Sequence, residues 1–393
     1  MEGDLITINK SLRPFSWLYS LGVGFRNMLF DMGILKSRSF STPVISVGNI
    51  TVGGTGKTPH VEYLIRLLKD KANVAMLSRG YKRQTKGFLL ASNSTDSKDI
   101  GDEPYQIYQK FPDITVAVDK KRTRGIEKLI DGEAGKDIDV IILDDAFQHR
   151  YVKPGINILL VDYHRLIIYD ELLPSGRLRE PVKSKNRADI VIVTKCPKDM
   201  KPMNFRVITK AMNLFAYQQL YFSTHEYEAP RPVFKEAGAE SLESLEALAS
   251  KNILLLTGIA SPEQMLLDLQ PYAKQIQPMA YGDHHQFTAK DAERINDAFS
   301  TLPSPKLVIT TEKDATRLKN VEGLSEEVRR QLYVLPIHIT LMLEQEEAFN
   351  KNIIEYVRKN SRNSILAQVK DEHKPKDSDS VGDRPRTISF RNN

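Results

Sequence analysis

A glycine-rich loop between an apolar run and an amphipathic stretch constrains the fold of this chain more than any other feature. The loop follows Val44–Val47 and contains a lysine, Lys57, and then Thr58. Glycines let the backbone curl so that successive N–H groups point inward at phosphate oxygens, and a helix that starts near Lys57 adds its positive dipole end. Lys57 would bridge the β- and γ-phosphates, and the Thr58 hydroxyl would ligate Mg²⁺. The predicted nucleotide contacts are Thr51, Val52, Gly53, Gly54, Thr55, Gly56, Lys57 and Thr58.

Two adjacent aspartates end a second apolar run and supply the other half of such a site. The run is Val140–Leu143, and Asp144 and Asp145 follow it directly. A carboxylate at the carboxyl end of a strand faces the crevice in which open α/β sheets bind ligands. We expect Asp144 to ligate Mg²⁺. Because side chains alternate along a strand, Asp145 is either a second ligand or a cap of the next loop. Together with the glycine loop, the pair predicts a site for a nucleoside triphosphate and Mg²⁺.

Short aliphatic runs alternate with helical stretches over most of the chain. Near-continuous apolar runs are typical of strands buried on both faces of a parallel sheet, and the alternation predicts a doubly wound α/β fold. We predict a P-loop NTPase-type parallel-sheet domain over 41–216 and a second, smaller α/β domain over 217–365, entered through a crossover at 217–242. The polar segment 366–393 lacks periodicity, which predicts a disordered tail. The runs are Val44–Val47, Val74–Leu77, Ile114–Val118, Asp139–Leu143, Ile158–Val161, Ile190–Val193, Ile253–Leu256, Leu307–Thr310 and Leu332–Ile339.

The first 40 residues contain an aromatic and aliphatic stretch, Pro14–Leu35, which includes the only tryptophan of the chain, Trp17. Charged residues interrupt the stretch at Arg26 and Asp31, so it falls short of the roughly 20 apolar residues that a spanning helix needs. Aromatic residues with basic flanks suit a helix that lies in the lipid headgroup layer. The alternative is an amphipathic helix that covers the core. We expect no signal peptide, because the opening residues include Asp4 and no small-residue cleavage site follows.

The composition limits the classes of partner. The 393 residues include 56 Lys and Arg, 50 Asp and Glu and one cysteine, Cys196, which gives a net charge of +6. A single cysteine excludes an intramolecular disulfide framework and fits a reducing cytosol. The net charge is compatible with an acidic substrate or an anionic membrane. It is too small for this length to indicate nucleic-acid binding, so we expect no nucleic-acid partner.

Charged segments that follow the strands offer a base and contacts for an acceptor. Asp102, in the segment GDEP, could take a proton from an attacking hydroxyl or could cap a helix. The neighbouring His284 and His285 suit an acid–base role beside a carboxylate better than a metal site, because adjacent side chains point different ways. The arginines of SRGYKR and LPSGRLREP, among them Arg79 and Arg179, suit phosphate oxygens.

In combination, these segments resemble the tetraacyldisaccharide 4'-kinases of Gram-negative lipid A biosynthesis. They stand in the order of that family and extend over about Leu12 to Val357. Thr51 stands where most phosphate loops have glycine, and the loop of this family usually has threonine there. The matching motifs are GNITVGGTGKTP (Gly48–Pro59), SRGY (Ser78–Tyr81), GDEP (Gly101–Pro104), LDDAFQH (Leu143–His149), LPSGRLREP (Leu173–Pro181), DHHQF (Asp283–Phe287) and TEKDA (Thr311–Ala315).

The resemblance implies transfer of the γ-phosphoryl group of ATP to the 4'-hydroxyl of a tetraacylated glucosamine disaccharide 1-phosphate, with Mg²⁺. It implies a membrane-associating helix within residues 1–40 and two α/β lobes that close over the site. Asp102 would be the general base, oriented by His284 in preference to His285, and Lys57 would contact the phosphates. The expected ligands of Mg²⁺ or phosphate are Thr58, Asp144, Asp145 and Glu180, and the expected substrate contacts are Arg79, Tyr81, His149 and Arg179.

The same resemblance places the protein at the cytoplasmic face of the bacterial inner membrane, either peripherally or through a single N-terminal anchor. Its partners would be the lipid disaccharide and the membrane surface. Two other functions stay open from the residues. A nucleotide-hydrolysing switch or metallochaperone has the same type of loop, but its base-recognition signal is only partly present, because Pro197 follows Thr194 and Lys195 where an aspartate is usual. A non-catalytic membrane scaffold would not need an intact phosphate loop.

Overall fold

In the computed structural model, residues 6, 8–259, 262–283 and 285–361 are described, and within them one sheet has nine strands and a second has five. The predicted disordered tail, 366–393, lies outside the described residues. The strands are β1 (Val44–Gly48), β2 (Val74–Ser78), β3 (Leu89–Leu90), β4 (Thr115–Val118), β5 (Val140–Asp144), β6 (Ile156–Asp162), β7 (Ile190–Thr194), β8 (Gln219–Tyr227), β9 (Arg231–Pro232), β10 (Asn252–Thr257), β11 (Gln275–Ala280), β12 (Lys306–Thr310), β13 (Leu332–Val334) and β14 (Ile337–Leu341).

Helices separate most of these strands and cover the sheets. They are α1 (Arg13–Asp31), α2 (Lys57–Leu68), α3 (Ser97–Ile100), α4 (Asp102–Lys110), α5 (Arg122–Ile130), α6 (Pro202–Met212), α7 (Pro262–Leu269), α8 (Ala289–Ser300), α9 (Glu312–Leu318), α10 (Glu326–Gln331) and α11 (Glu346–Asn360). The predicted α/β class is confirmed.

The larger sheet has the order β14-β8-β7-β6-β1-β5-β2-β4-β3 and is parallel except at its two edge strands, β14 and β3. Successive residues of a central strand point into different apolar clusters. In β5, Val140 and Ile142 belong to one cluster, and Ile141 and Leu143 belong to another on the opposite face. Burial on both faces explains why these runs are continuously apolar. The strand β1, which precedes the glycine loop, lies in the middle of the sheet between β5 and β6.

The smaller sheet has the order β11-β10-β12-β13-β9, with β9 as an antiparallel edge strand. Its strand β10, which lies between β11 and β12, is buried along its whole length, from Asn252 to Thr257. The edge strand β11 is only partly buried, because its sequence alternates polar and apolar residues. Helix α8 covers one face of this sheet with Ala292, Ile295 and Phe299. This sheet is the core of the second lobe.

Two strands of the larger sheet, β8 and β14, lie in segments that the sequence analysis assigns to the crossover and to the second lobe. Strand β8 occupies the first part of the predicted crossover at 217–242, and that prediction is wrong for this part. Buried polar residues of β8, such as Ser223 and Thr224, conceal its strand character. The run Leu332–Ile339 is one predicted element of the second lobe, but the structure divides it between the two sheets, as β13 and β14. Pro336 stands at the break, where it has no N–H to donate to a sheet.

The chain therefore crosses between the sheets twice, from β8 to β9 and from β13 to β14. After the second crossing, α11 packs Phe349, Ile353 and Val357 into the apolar cluster that also contains Ile45 and Val47 of β1. By sheet membership, β8, β14 and α11 belong with the larger sheet. The predicted boundary between 216 and 217 does not coincide with the division between the sheets.

The predicted N-terminal helix is present as α1, and most of its large apolar side chains face outward. The described part of α1 buries only Ser16 and Phe30. This observation argues against the alternative that the helix covers the core. The exposed fractions reach 64% at Trp17 and 60% at Phe25. Other large apolar side chains exposed in and just after this helix are Phe15, Leu18, Leu21, Met28, Met32 and Ile34.

Among the described residues, no helix combines the length and the apolar character that crossing a membrane requires.

A hydrogen-bonded tyrosine joins the last helix to the first strand and provides a test of this arrangement. The Tyr356 hydroxyl accepts from the Val44 N–H at 3.2 Å and donates to the Val44 carbonyl at 3.3 Å. Tyr356→Phe should lower the free energy of unfolding in urea by about 1–3 kcal/mol, because a buried N–H loses its acceptor. The control Tyr169→Phe, at a side chain 47% exposed, should change it by less than about 0.5 kcal/mol. Equal effects of the two variants would contradict the assignment of α11 to the larger sheet.

Candidate active site

The glycine loop stands at the carboxyl end of β1 and leads directly into α2, as predicted. Gly53 has φ 121° and Gly56 has φ 77°, values at which a side chain would be strained. Two threonine contacts hold the middle of the loop. The Asn49 amide donates to the Thr55 hydroxyl at 2.7 Å, and the Thr194 hydroxyl donates to the Thr55 carbonyl at 3.1 Å. The loop is therefore shaped by its own backbone and by neighbouring strand ends.

The arginine-containing segment 177–179 runs alongside the entrance to this loop. The Val52 N–H donates to the Arg177 carbonyl at 2.8 Å, and the Arg179 N–H donates to the Ile50 carbonyl at 2.7 Å. Thr51 forms a β-bridge with Leu178. The motif LPSGRLREP is thus a second wall of the phosphate site, although it lies more than 100 residues from the loop in the sequence.

The two aspartates after β5 have different partners. Asp144 is buried and accepts a hydrogen bond from the Ser78 hydroxyl at 3.1 Å, while its Oδ1 is buried without a hydrogen-bond partner. Burial, together with the charges of Glu103 and Asp145, raises the pKa of Asp144 to about 7 against the opposing charges of Lys57 and Arg122. The unpaired oxygen and the raised pKa are expected of a carboxylate that faces a site for a cation.

Asp145 lies between two cations of the site. It has φ 46°, lies 3.8 Å from the Lys57 ammonium and accepts from Arg179 at 3.1 Å. Burial acts to raise the pKa of Asp145, but the charges of Lys57 and Arg179 outweigh it and lower the pKa. Arg179 also donates to the Asn49 side chain. The structure therefore brings together Lys57, Asp145 and Arg179, three of the predicted site residues.

Glu180, the other predicted ligand of Mg²⁺ or phosphate, is buried and paired with Arg187 at 2.5 Å, and its second oxygen has no hydrogen-bond partner. In the described part of the chain, no three His, Cys, Asp or Glu side chains come together as a metal-binding group. Mg²⁺ bound to a nucleotide usually takes only one or two carboxylates and keeps phosphate and water oxygens. Asp144 with Thr58 fits that kind of site better than a cluster that includes Glu180.

Asp102 is the first residue of α4, and the residue at the cap position is Gly101, with φ 92°. The capping alternative for Asp102 is thus not what the structure shows. The Asp102 carboxylate accepts from Arg317 of the second lobe, at 2.6 Å from Nη2 and 2.9 Å from Nε. Arg317 is buried and also donates to Asp314 at 3.1 Å. Asp102 is thereby held at the crevice between the two sheets.

Of the two neighbouring histidines, His284 lies outside the described residues. His285 donates to Asp291 at 3.0 Å and stacks on Tyr281, with 4.6 Å between the ring centroids. Asp291 also forms the capping box of α8 with Thr288. The contacts of His285 are therefore those of a residue that supports the second lobe.

The predicted substrate contacts differ in exposure. Arg79 and Tyr81 are exposed, Tyr81 by 58%. His149 is half-buried, and burial together with the nearby charges of Arg122 and Arg26 lowers the pKa of its imidazole to about 4. A neutral imidazole at neutral pH is the consequence. The Nε2 atom of His149 is buried and has no hydrogen-bond partner.

Sequence reasoning missed Arg122, the first residue of α5. Its guanidinium is buried and donates to the Asp144 carbonyl at 3.0 Å and to the Asp119 carbonyl at 2.9 Å. Burial lowers the pKa of Arg122 to about 10, so it stays positively charged near neutrality. The signal in the sequence is that Asp119 and Arg122 directly follow the apolar run of β4, at the same edge of the sheet as the other site residues.

Comparison with known proteins identifies one family over most of the chain. The family model described as tetraacyldisaccharide-1-P 4'-kinase matches residues 8–358. A tetraacyldisaccharide 4'-kinase of Phocaeicola vulgatus is 58% identical over 365 residues, 93% of this chain and 99% of that protein. One from Bacteroides fragilis is 53% identical over 376 residues, 95% and 100% of the two chains. A solved structure of LpxK from Aquifex aeolicus in complex with ATP has a TM-score of 0.67 at 30% identity, over 89% of this chain and 99% of that one.

The buried charge of Asp144 predicts a stabilising substitution. Above its raised pKa the carboxylate is ionised at a cost in free energy, whereas the amide in Asp144→Asn has no charge to bury. Without nucleotide or metal, Asp144→Asn should therefore be more stable than the wild type by about 1–3 kcal/mol at pH 8.5. The gain should shrink towards pH 5.5, where the native carboxyl is protonated. Urea unfolding at both pH values measures it, and a gain independent of pH would contradict the assignment.

Proposed function

Because the chain belongs to the tetraacyldisaccharide 4'-kinase family, we propose that it transfers the γ-phosphoryl group of ATP to the 4'-hydroxyl of a tetraacylated glucosamine disaccharide 1-phosphate. The observation on which this proposal rests is the match of the family model to residues 8–358, nearly the whole described chain. We assign the larger sheet to the P-loop NTPase type, because its central strand leads through the glycine loop into α2. A hydrolysing switch or metallochaperone has no comparable support.

The geometry supports distinct roles for the site residues. The loop 51–58 would hold the ATP phosphates with its N–H groups, and Lys57 would neutralise charge on the β- and γ-phosphates. To do so, Lys57 has only to exchange the Asp145 carboxylate, 3.8 Å away, for a phosphate oxygen. Thr58 and Asp144 would hold Mg²⁺, which would supply positive charge against the phosphates. We further propose that Arg79, Tyr81, His149 and Arg179 contact the substrates.

We propose Asp102 as the general base that takes the proton of the 4'-hydroxyl. The ion pair with Arg317 fixes the orientation of Asp102, and an oriented carboxylate is what proton abstraction requires. Once the proton has moved to Asp102, the 4'-oxygen can attack the γ-phosphorus while ADP departs. His284 is the proposed histidine partner, since His285 is engaged with Asp291.

Labelled ATP tests the reaction. The purified protein would be incubated with [γ-³²P]ATP, Mg²⁺ and a tetraacylated disaccharide 1-phosphate in detergent, and the label followed into lipid. We expect transfer that depends on the lipid and on Mg²⁺. No label in the lipid would exclude the kinase, and phosphate release that does not need lipid would favour the hydrolysing switch.

Asp102→Asn should reduce kcat in this assay by about 10²-fold or more, because loss of a general base is commonly of that order. ATP affinity should remain within about threefold, since Asp102 lies outside the phosphate loop. The matched variant is Arg317→Met, which removes the partner of the ion pair and keeps the carboxylate. If Asp102 served only to hold Arg317, both variants would lose the same activity. A base predicts a much larger loss for Asp102→Asn.

We propose that α1 lies on the membrane surface at the cytoplasmic face of the inner membrane, as a peripheral contact. Its exposed aromatic and aliphatic side chains support this assignment, because the transfer of each large apolar side chain out of water is favourable by about 1.5–3 kcal/mol. Two hydrogen bonds attach the helix to the site. The Tyr19 hydroxyl donates to the Arg179 carbonyl at 3.0 Å, and Arg26 donates to the Gln148 carbonyl at 3.1 Å. A lipid acceptor held at the bilayer would thus meet the site beside α1.

The double substitution Leu21→Asp and Phe25→Asp should weaken binding to vesicles that contain anionic phospholipid by at least about tenfold, because it removes two apolar contacts. Co-sedimentation measures the binding, and fluorescence of Trp17 with brominated lipids reports whether α1 enters the bilayer. The control is Leu267→Asp, at a side chain 58% exposed in the second lobe, which should bind as the wild type does. Equal binding of all three proteins would refute the contact through α1.

A further inference from the structure

One lysine, at the end of α4, connects α4 with both α2 and α9. Helix α2 begins with Lys57 of the phosphate loop, α4 begins with Asp102, and α9 contains Arg317, which holds Asp102. The last residue of α4 is Lys110. Its ammonium lies 2.6 Å from Glu62 of α2 and 2.6 Å from Glu312, the first residue of α9.

These contacts fasten α4 to the second lobe at both of its ends. At its start, Asp102 pairs with Arg317 near the end of α9, and at its end, Lys110 pairs with Glu312 at the start of α9. The crossed pairing means that the two helices run in opposite directions. The second pair also includes the helix of the phosphate loop, through Glu62.

The charges around Lys110 are shielded from water, so the attraction between them is screened less than in a surface salt bridge. The exposed fraction of the side chain is 2% for Glu62, 15% for Lys110 and 20% for Glu312. Burial, followed by the charge of Glu312, raises the pKa of Glu62, and the charge of Lys110 opposes the rise. Arg66 of α2 also faces Glu62 at 3.8 Å, but it is shared with Glu228 at 3.5 Å.

We propose that Lys110 is a positioning residue for phosphoryl transfer, which fixes the spacing between the helix that begins with Lys57 and the helix that holds Asp102 through Arg317. It does so by binding Glu62 and Glu312 at once. Without its charge, the two carboxylates would face each other across the boundary between the lobes and repel. This inference rests on the proposed kinase function and adds to it a residue that need not touch either substrate.

Lys110→Met, which keeps most of the apolar stem and removes the ammonium, tests the inference in the full chain. With the labelled-ATP assay, we expect kcat/KM to fall about tenfold or more at pH 8.5, as for a broken buried ion pair. The loss should be smaller at pH 6, because Glu62, with its pKa raised further in the variant, is then protonated and the repulsion ends. ATP binding should stay within about threefold of the wild type.

A second substitution separates positioning from simple loss of packing. Lys110→Met combined with Glu62→Gln removes the repulsion, so we expect kcat/KM within about threefold of the wild type and little dependence of the ratio on pH. The matched control is Lys128→Met, which breaks an exposed pair with Glu133 and should leave kcat/KM unchanged.

The outcomes distinguish the possibilities. Wild-type activity of Lys110→Met at every pH would overturn the inference, and so would an equal loss at pH 6 and pH 8.5 that Glu62→Gln does not restore. If Lys110→Met fails to fold, the double variant decides, with restored transfer as the supporting result and absent transfer as the contrary one. No transfer by the wild type would instead refute the kinase function itself.

Discussion

A buried carboxylate at the end of the central strands is the constraint on which the rest of the site depends. Asp144 has little exposure, and one of its oxygens has no hydrogen-bond partner. An isolated ionised carboxylate in such a place is unfavourable, so the surroundings have to offset it. Lys57 and Arg122 supply positive charge and Ser78 supplies a hydrogen bond. The fold thus contains an unfavourably buried carboxylate, Asp144, which a bound cation would stabilise.

The two lobes are joined by charged groups as well as by chain crossings. The chain passes between the sheets at 228–230 and again at 335–336, which leaves the angle between the lobes to be fixed by other contacts. Helices α4 and α9 provide them through ion pairs. Charge pairs in a cleft are directional and respond to the loss of either partner. For a proposed base on α4 and a phosphate loop on β1 and α2, this means that the catalytic distances depend on side chains that bind neither substrate.

Features of the fold and the site could be predicted from the sequence where the residues that form them are close together in the chain. The phosphate loop and the aspartate pair are each specified by contiguous residues. A glycine run between a strand and a helix, combined with a carboxylate at a strand end, is compatible with few other folds. Strand β8 could not be recognised, since its register in the sheet buries Ser223 and Thr224. The partner of Asp102 could not be predicted either. Arg317 lies 215 residues away, and no spacing rule connects the two lobes.

Contacts between α1 and the segment that contains Arg179 link the exposed apolar surface to the active site. The Arg179 carbonyl accepts the hydrogen bond of Tyr19, while the Arg179 guanidinium donates to Asp145. Arg13 also pairs with Glu171 at 2.6 Å, at the start of the segment that leads to Arg179. A helix held at both points cannot tilt without displacing that segment. If α1 rests on the bilayer, the depth of the helix in the headgroup layer also sets the height of the phosphate site above the acyl chains. A soluble analogue of the acceptor would therefore lose more than its contacts with lipid, because it would no longer be presented to the site at a fixed height.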